Sequence, residues 1–195
     1  DFAAASCGTG EGIADLGGVA DGGALAIGAG STSSGEGTVA LGLEAEATGA
    51  NSLSVGYQTD TNGDGSTAIG SAIEASGSQV TAVGNVITAN GAKSTALGSE
   101  ISIEGSEAVA IGYSVFAAGN EAVVIGNNSF ATAEGAMALG SDTSATAKDA
   151  LAMVSATASG EASIAIGSDA KSTAADAIAI GSGSSATAEQ AVAFG

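Results

Sequence analysis

The stretch that decides the fold is residues 108–119, which read Ala-Val-Ala-Ile-Gly-Tyr-Ser-Val-Phe-Ala-Ala-Gly. Residues 122–133 repeat the pattern as Ala-Val-Val-Ile-Gly-Asn-Asn-Ser-Phe-Ala-Thr-Ala. In each copy, alternating small and larger aliphatic residues precede a glycine, and a fixed period of this kind is the signature of a repeat protein. The glycine is predicted to form a turn in every copy, at Gly28, Gly42, Gly56, Gly70, Gly84, Gly98, Gly112, Gly126, Gly140, Gly167, Gly181 and Gly195.

The period is interrupted once. Gly167 falls one position short of where the second repeat after Gly140 would place it, so residues 150–155 are interpreted as a unit that has lost its glycine. A second glycine follows the first at a fixed offset in many units, at Gly35, Gly49, Gly63, Gly77, Gly91, Gly105 and Gly119. Each unit therefore carries two short alternating segments and two turn signals.

Period-two alternation indicates β-strands, and paired turns close each unit into one coil. The sequence therefore predicts an all-β fold, a parallel β-solenoid (β-roll) of about 13 coils stacked about 4.8 Å apart. Residues 24–195 are predicted to be the repeat region and residues 1–23 a degenerate N-terminal repeat or cap. A coiled coil also fits a 14-residue period, but two glycines per unit, at about 1 kcal/mol each, exclude it.

The two sides of the first strand in each coil differ in size. Its first and third residues are small and fit a narrow lumen, which paired isoleucines would crowd, whereas its second and fourth residues are larger and are predicted to point outward. A continuous apolar row indicates an interface, so the sequence predicts a homo-oligomer with closed symmetry. The alternative is a monomer with the large side chains inside. The predicted interface comprises Leu25, Ile27, Val39, Leu41, Leu53, Val55, Ile69, Val83, Leu97, Val109, Ile111, Val123, Ile125, Leu139, Ile164, Ile166, Ile178 and Ile180.

The composition excludes several classes of function. The 195-residue chain has no histidine and one cysteine, so it lacks an imidazole base, His/Cys zinc sites and an intramolecular disulfide. Three Lys+Arg against 21 Asp+Glu make binding to nucleic acid or to anionic membranes unfavourable. No apolar run is long enough to insert into a membrane, and the N-terminal residues are not predicted to be a signal peptide. No catalytic residue and no cofactor is predicted.

The repeat unit resembles the YadA-like head repeat of trimeric autotransporter adhesins. Units such as residues 108–119 and 163–167 carry the likeness, which extends over residues 24–195. The resemblance implies a left-handed parallel β-roll, assembly into a homotrimer, and display at a bacterial cell surface, where such heads contact host surfaces and other cells. It also implies that anchoring to the outer membrane would come from regions outside this chain.

Residues 60–65, Asp-Thr-Asn-Gly-Asp-Gly, match the opening of a calcium-binding loop, with Asp60, Asn62 and Asp64 as oxygen ligands. The closing bidentate glutamate of such a loop would fall at Ser71, which has no carboxylate. The same residues lie at the second turn of the repeat, where Asp, Asn and Gly are typical. A structural turn is therefore favoured, with calcium binding as the alternative.

Two further patterns have competing interpretations. Thr67, Thr81 and Thr95 occupy the same strand position in consecutive coils, as in ice-binding solenoids, although β-branched residues favour strands in general. Glu44 and Glu46 could form a glycosidase pair. Because no aromatic sugar platform accompanies them, they are interpreted with the other carboxylates as a solvated acidic surface, which includes Glu74, Glu100, Asp142, Asp149, Asp169 and Asp176.

The aromatic residues and the chain ends suggest contacts with other molecules. Tyr57, Tyr113, Phe116 and Phe130 lie in or near turns and are predicted to be exposed adhesive contacts or to pack at a subunit junction. The small alternating residues at the N-terminus could complete the last coil of another copy. This predicts head-to-tail stacking, with Cys7 near the junction and available for a disulfide between chains.

These observations lead to one functional prediction and its rivals. The chain is predicted to be a structural and adhesive surface protein, a trimeric β-roll head that presents an acidic face to an unidentified surface or cell ligand. A self-assembling extracellular filament and a phage fibre segment are the first alternatives. An ice- or calcium-binding β-solenoid is the second.

Overall fold

A computed structural model describes residues 13–15, 18–20 and 23–195, the first of these ranges by its backbone only. Cys7, and with it the predicted head-to-tail junction, lies outside these residues, as does much of the predicted cap over residues 1–23. The described residues form β-strands and turns and no helix, so they include none that is long and apolar enough to cross a membrane.

The chain forms two compact units, residues 1–93 and 94–195. The strands of the first unit are β1 (Ile13–Asp15), β2 (Val19–Ala20), β3 (Leu25–Ile27), β4 (Thr32–Ser33), β5 (Val39–Leu41), β6 (Glu46–Ala47), β7 (Leu53–Thr61), β8 (Thr67–Ala75) and β9 (Thr81–Ala89). The strands of the second unit are β10 (Thr95–Ile103), β11 (Val109–Ala117), β12 (Val123–Ala131), β13 (Met137–Ser141), β14 (Ser144–Ala145), β15 (Leu151–Met153), β16 (Thr157–Ala158), β17 (Ile164–Ile166), β18 (Lys171–Ser172), β19 (Ile178–Ile180), β20 (Ser185–Ala186) and β21 (Val192–Phe194).

Parallel pairing in register makes each unit a β-solenoid. In the first unit Leu53 of β7 pairs with Thr67 of β8, and in the second unit Val109 of β11 pairs with Val123 of β12. The repeat of about 14 residues therefore advances the chain by one turn, and the described residues form about 12 turns. The predicted all-β solenoid is confirmed.

The first strand of each turn alternates between the lumen and the surface. In β3, Ala26 is fully buried, while Leu25 and Ile27 on either side of it are half-buried. Strand β11 shows the same alternation. Alanine fills the lumen because the two strands of one turn face each other across a narrow space. The alternative arrangement, with the large residues inside and the small ones outside, is therefore wrong.

In several turns, the segment after the corner glycine admits larger side chains to the lumen than the sequence predicted. Ile101 and Ile103 of β10 are both buried, so the prediction that paired isoleucines crowd the lumen is wrong for this turn. The segment before the corner glycine of the same turn contributes Ser94, just before β10, and Ala96 of β10, which are small and also buried. The lumen therefore keeps its filled volume by matching large residues of one strand with small residues of the other.

Hydroxyl groups supply part of the core of the first unit. Ser54 and Thr59 are fully buried, and the Ser54 Oγ lies 2.8 Å from both the carbonyl oxygen and the Oγ1 of Thr59. In an earlier turn, the hydroxyls of Ser33 and Thr38 lie 2.8 Å apart. Because these hydroxyls bond to one another or to the backbone, burying them does not leave polar groups without partners.

The first glycine of the repeat lies at a corner between the two strands. In β7 to β12 the strand runs for nine residues through this glycine, so the prediction of two short strands per turn is wrong for these turns. Gly112 has φ of 140°, and a Cβ on it would lie 1.7 Å from the carbonyl oxygen of Gly126. Adjacent turns approach so closely here that only glycine fits.

A residue two places after this glycine adopts the left-handed conformation in turn after turn. Glu44, Gln58, Ala72 and Val86 all have φ between 51° and 55°. This conformation is uncommon for residues other than glycine and is least favourable for a β-branched residue such as Val86. The corner geometry therefore overrides the preference of the individual residue.

The interrupted repeat is a turn with a shorter corner. Met137 pairs with Leu151, and Leu151 pairs with Ile164, one position earlier than the regular period would give. Val154 stands where the register places the corner glycine, and both Val154 and Ser155 have positive φ, of 62° and 54°. The turn closes with one residue fewer, and the parallel register continues beyond it.

Candidate functional site

The outward residues of the first strand in each turn form the candidate site, which we call the aliphatic face. In the first unit, the predicted interface residues are half-buried or exposed and none is buried: Leu25, Ile27, Val39, Leu41, Leu53, Val55, Ile69 and Val83. Pairing in register stacks Ile27 on Leu41 and Leu41 on Val55. These side chains therefore form columns with a step of about 4.8 Å.

The aliphatic face of the second unit has the same construction. None of its predicted interface residues is buried: Leu97, Val109, Ile111, Val123, Ile125, Leu139, Ile164, Ile166, Ile178 and Ile180. Ile111 pairs with Ile125, and Ile125, with 43% of its surface exposed, pairs with Leu139. Columns of exposed aliphatic side chains on a sheet are the kind of surface that marks an interface.

Sequence reasoning missed further members of the aliphatic face of the second unit. They occupy the same outward positions and are also half-buried or exposed: Met137, Leu151, Met153, Val192 and Phe194. The signal that could have identified them is the repeat register itself, since Val123 pairs with Met137 and Leu139 pairs with Met153. Methionine at residues 137 and 153 and the lost glycine after Leu151 made the pattern harder to recognise there, whereas Val192 and Phe194 precede Gly195 in the regular pattern.

The outward residues of the second strand in each turn form the opposite surface, which we call the outer face. In the first unit this face is polar, and its successive residues are Thr32, Glu46, Asp60, Glu74 and Thr88. The solenoid therefore presents one apolar and one polar face in this unit, which is the division expected of a sheet that is covered on one side only.

Asp60 has an unusual environment on the outer face. It pairs with Glu46 on one side and with Glu74 on the other, and its Oδ1 is buried without a hydrogen-bond partner. Burial raises the pKa of Asp60 above its usual range, a hydrogen bond with Asn62 partly offsets the rise, and the charge of Glu74 adds to it. Folding therefore makes ionisation of Asp60 less favourable than it is in the unfolded chain.

Two of the three calcium candidates, Asn62 and Asp64, use side-chain oxygen atoms in contacts between turns. Asn62 Oδ1 accepts a hydrogen bond from Thr48 Oγ1, and Asp64 Oδ1 accepts one of 2.9 Å from the backbone N–H of Ala50. Within the part of the chain that the structure describes, no cluster of three Asp, Glu, His or Cys side chains could hold a metal ion. The arrangement of Asp60, Asn62 and Asp64 therefore does not favour the calcium alternative.

The threonines considered as an ice-binding row lie on the aliphatic face. Thr67 is half-buried and pairs with Thr81, which is exposed, while Thr95 begins β10 of the second unit. Within the first unit, Ile69 and Val83 lie two residues further along the same strands. The threonines are thus polar members of a mixed row, and this arrangement favours their interpretation as ordinary strand residues.

All the carboxylates interpreted as a solvated surface are exposed: Glu44, Glu46, Glu74, Glu100, Asp142, Asp149, Asp169 and Asp176. Glu44 lies at a corner, where its Oε2 accepts a hydrogen bond of 2.8 Å from Gln58 Nε2. Glu46 lies on strand β6. These exposed positions are consistent with a solvated acidic surface, on which hydrogen bonds such as that of Glu44 connect neighbouring turns.

The four aromatic residues predicted to make contacts with other molecules are exposed or half-buried. Tyr57 and Tyr113 are exposed at corners, and the Tyr113 hydroxyl donates a hydrogen bond of 2.9 Å to Glu100 Oε1. This bond and the charge of Glu100 raise the pKa of Tyr113. Phe116 pairs with Phe130 on the outer face, and Phe130 has 39% of its surface exposed. The structure therefore brings two of these aromatic residues together on one face.

Comparison with known families identifies the repeat. The family model of the YadA head domain repeat (2 copies) matches residues 22–45, 47–72, 104–129, 131–153, 154–170, 158–184 and 172–195. A comparison with curated proteins finds no match. The matched segments cover most of the chain. The chain belongs to the YadA head repeat family.

Proposed function

We propose that this chain is the head of a bacterial surface adhesin, in which three copies pack through their aliphatic faces and present their outer faces to a ligand. The single observation that carries the proposal is the division of the solenoid turns of residues 24–195 into a half-exposed aliphatic side and an outer side that is polar apart from Phe116 and Phe130. Family membership supports it, since the YadA head family is a structural adhesin family whose heads form trimers and are surface-exposed.

The energetic argument for assembly follows from the exposed aliphatic columns. Complete burial of one valine, leucine or isoleucine side chain is worth about 1.5–3 kcal/mol relative to full exposure. Because 43% of the surface of Ile125 faces solvent in the isolated chain, a large part of this burial free energy remains to be gained when the copies assemble. Closed symmetry buries the same face on every copy and leaves no open contact.

The outer face has the properties of an exposed surface. A net charge of −18 keeps copies of the assembly apart in solution and opposes lateral aggregation.

Residues 1–23 act in this proposal as a degenerate repeat that covers the first turn. The irregular spacing there supports the idea, since Ile13 pairs with Leu25 and Val19 with Thr32, both at separations shorter than the regular period.

Adhesion can be tested together with assembly. Beads coated with the chain are expected to attach to cells, and the variant Ile111→Asp/Ile125→Asp is expected to lose attachment because it separates the three copies. The matched control is Thr173→Asp/Thr187→Asp, which adds the same charges at exposed positions away from the aliphatic face. Equal attachment by a monomeric Ile111→Asp/Ile125→Asp variant would contradict the proposal that the trimer is the adhesive form.

A further inference from the structure

Phe116 and Phe130 form an apolar island on the otherwise polar outer face of the second unit. Phe116 of β11 pairs with Phe130 of β12, so the two rings occupy adjacent strands at a step of about 4.8 Å. The residues before and after them in the same column are Ser102 and Ser144. Since serine fills this column in neighbouring turns, the fold does not require phenylalanine at either position.

Carboxylates flank this aromatic pair on both sides. Ser102 lies on β10, the strand next to Phe116. Glu100 of β10 lies two residues before Ser102, Glu104 lies two residues after it and just beyond the end of β10, and both are exposed. On the other side, Ser144 pairs with Phe130, and Asp142 lies two residues before Ser144 and is also exposed. The pair and the two flanking strands span about 14 Å, or three strand spacings.

Two of these carboxylates are held in place by neighbouring side chains. Glu100 accepts the hydrogen bond from the Tyr113 hydroxyl, and Asp142 accepts hydrogen bonds from Asn128 Nδ2, at 2.7 Å, and Ser141 Oγ, at 3.0 Å. The hydrogen bond from Asn128, followed by that from Ser141, lowers the pKa of Asp142. Groups held in this way lose less conformational entropy when a partner binds.

Positive charge near the aromatic pair is scarce. The whole sequence has three Lys+Arg residues, and of these Lys148 pairs with Glu134 at 3.1 Å. Lys171 lies in the same column as Phe130 but three strands further along, at about 14 Å. The field around Phe116 and Phe130 is therefore negative, and a partner must supply the opposite charge.

We propose that Phe116 and Phe130, with the carboxylates of Glu100, Glu104 and Asp142, form a docking site for an arginine- or lysine-rich extended segment of a partner protein. This inference rests on the proposed function, because it names the class of partner that the adhesive outer face binds. The cationic groups stack on the phenylalanine rings, for which guanidinium is especially suited, and pair with the flanking carboxylates. A segment of about four extended residues spans the site.

Charge favours a basic partner over a second copy of this chain, a nucleic acid or an anionic lipid surface. A second copy of the chain brings another net charge of −18 and few cations, so like charges oppose its docking on this face. Nucleic acids and anionic lipid surfaces are repelled for the same reason. Only a basic partner combines attraction to the carboxylates with a favourable contact on the rings.

The test uses fluorescein-labelled oligoarginine, with oligoglutamate as the probe of opposite charge. The variant Phe116→Ser/Phe130→Ser is expected to weaken oligoarginine binding by about fivefold or more, the loss expected for two exposed cation–π contacts. Glu100→Gln/Asp142→Asn is expected to weaken binding and to reduce its dependence on salt. Tyr57→Ser, at an exposed aromatic residue of the first unit, is the matched control and is expected to leave the affinity unchanged.

Three results would overturn the inference. Equal affinity of the phenylalanine variant and the unsubstituted chain would show that oligoarginine binds through general charge alone. Binding of oligoglutamate would contradict the role of charge, and a change in oligomeric state on substituting the phenylalanines would identify the face as a contact between copies. Sedimentation of the same samples keeps this test separate from the proposed function, because a monomeric chain that binds oligoarginine at this site contradicts only the trimer.

Discussion

The carbonyl oxygen of Gly126 occupies the space in which a Cβ on Gly112 would lie, at a separation of 1.7 Å. Gly112 also has φ of 140°, a conformation that residues with a side chain rarely adopt. The close approach is repeated between consecutive corner glycines, as between Gly42 and Gly56 at 1.9 Å. Stacking of the turns therefore depends on the absence of side chains at these corners.

Substitution of a corner glycine is expected to disrupt the stack. Gly112→Ala should lower the free energy of unfolding by about 3 kcal/mol or more, because the clash involves backbone atoms that cannot move without breaking the register. Gly183→Ala is the matched control, since Gly183 also has positive φ, of 72°, but no atom lies within 4 Å of its added Cβ. The control should cost only about 1–2 kcal/mol, the penalty of a left-handed alanine. Chemical denaturation measures both, and equal losses would refute the steric explanation.

Neutralising Asp60 is expected to stabilise the chain at neutral pH. Because the pKa of Asp60 is raised in the folded chain, folding favours its protonated form, and this contribution to stability is lost as pH rises through the folded-state pKa. Asp60→Asn mimics the protonated form, so its advantage in melting temperature should be present at pH 7 and vanish below the usual range of aspartate, about pH 4.

The control for this experiment is Asp176→Asn, which removes the same charge at an exposed corner of the second unit. Subtracting its effect accounts for the change in net charge of the whole chain. An advantage of Asp60→Asn that does not depend on pH would contradict the role of Asp60 titration.

Val86 is expected to be a strained residue. It is a β-branched residue with φ of 54° and 51% of its surface exposed, whereas Asn128 occupies the corresponding corner position in the second unit. Val86→Asn should raise the free energy of unfolding by about 1 kcal/mol, because asparagine tolerates the left-handed conformation. Val86→Thr keeps the branched shape but replaces one exposed methyl group with a hydroxyl, and it should have little effect. A matching gain in Val86→Thr would attribute the result to solvation instead of backbone strain.

The buried hydroxyl pair of Ser54 and Thr59 is expected to be coupled. Ser54→Ala alone should lower the free energy of unfolding by about 1–3 kcal/mol, because it removes a partner of a buried hydroxyl. Valine already occupies the position equivalent to Thr59 in β11, at Val115. The double variant Ser54→Ala/Thr59→Val should therefore recover most of the loss. A double-mutant cycle in denaturant measures the coupling, and additive losses would contradict it.

The repeat made the fold and the aliphatic face predictable. Alternation before each glycine placed residues such as Ala26 in the lumen and Leu25 outside, and the structure has the same alternation. This succeeded because strand period and repeat length are properties of the sequence that survive individual substitutions. Met137 and Met153 escaped the prediction, although the register would have placed them with Val123 and Leu139.

Other features depend on contacts between turns and could not be inferred from one unit. The pairing of Phe116 with Phe130 follows from register, but their isolation among serines and carboxylates became visible only once the outer face was assembled. The left-handed conformation of Val86 runs against its own preference, since the corner imposes it. The burial of Ile101 with Ile103 depends on the small residues across the lumen. In the cases of Val86 and of Ile101 with Ile103, tertiary context overrides the local expectation.

The molar mass of the chain in solution tests the central claim most directly. Sedimentation equilibrium should give three times the 17.9 kDa of one chain, and the same mass for Thr173→Asp/Thr187→Asp. Ile111→Asp/Ile125→Asp should give the mass of one chain, since carboxylates buried in an apolar contact without partners are strongly unfavourable. A mass of 17.9 kDa for the unsubstituted chain, or three times that mass for the Ile111→Asp/Ile125→Asp variant, would contradict assembly through the aliphatic face.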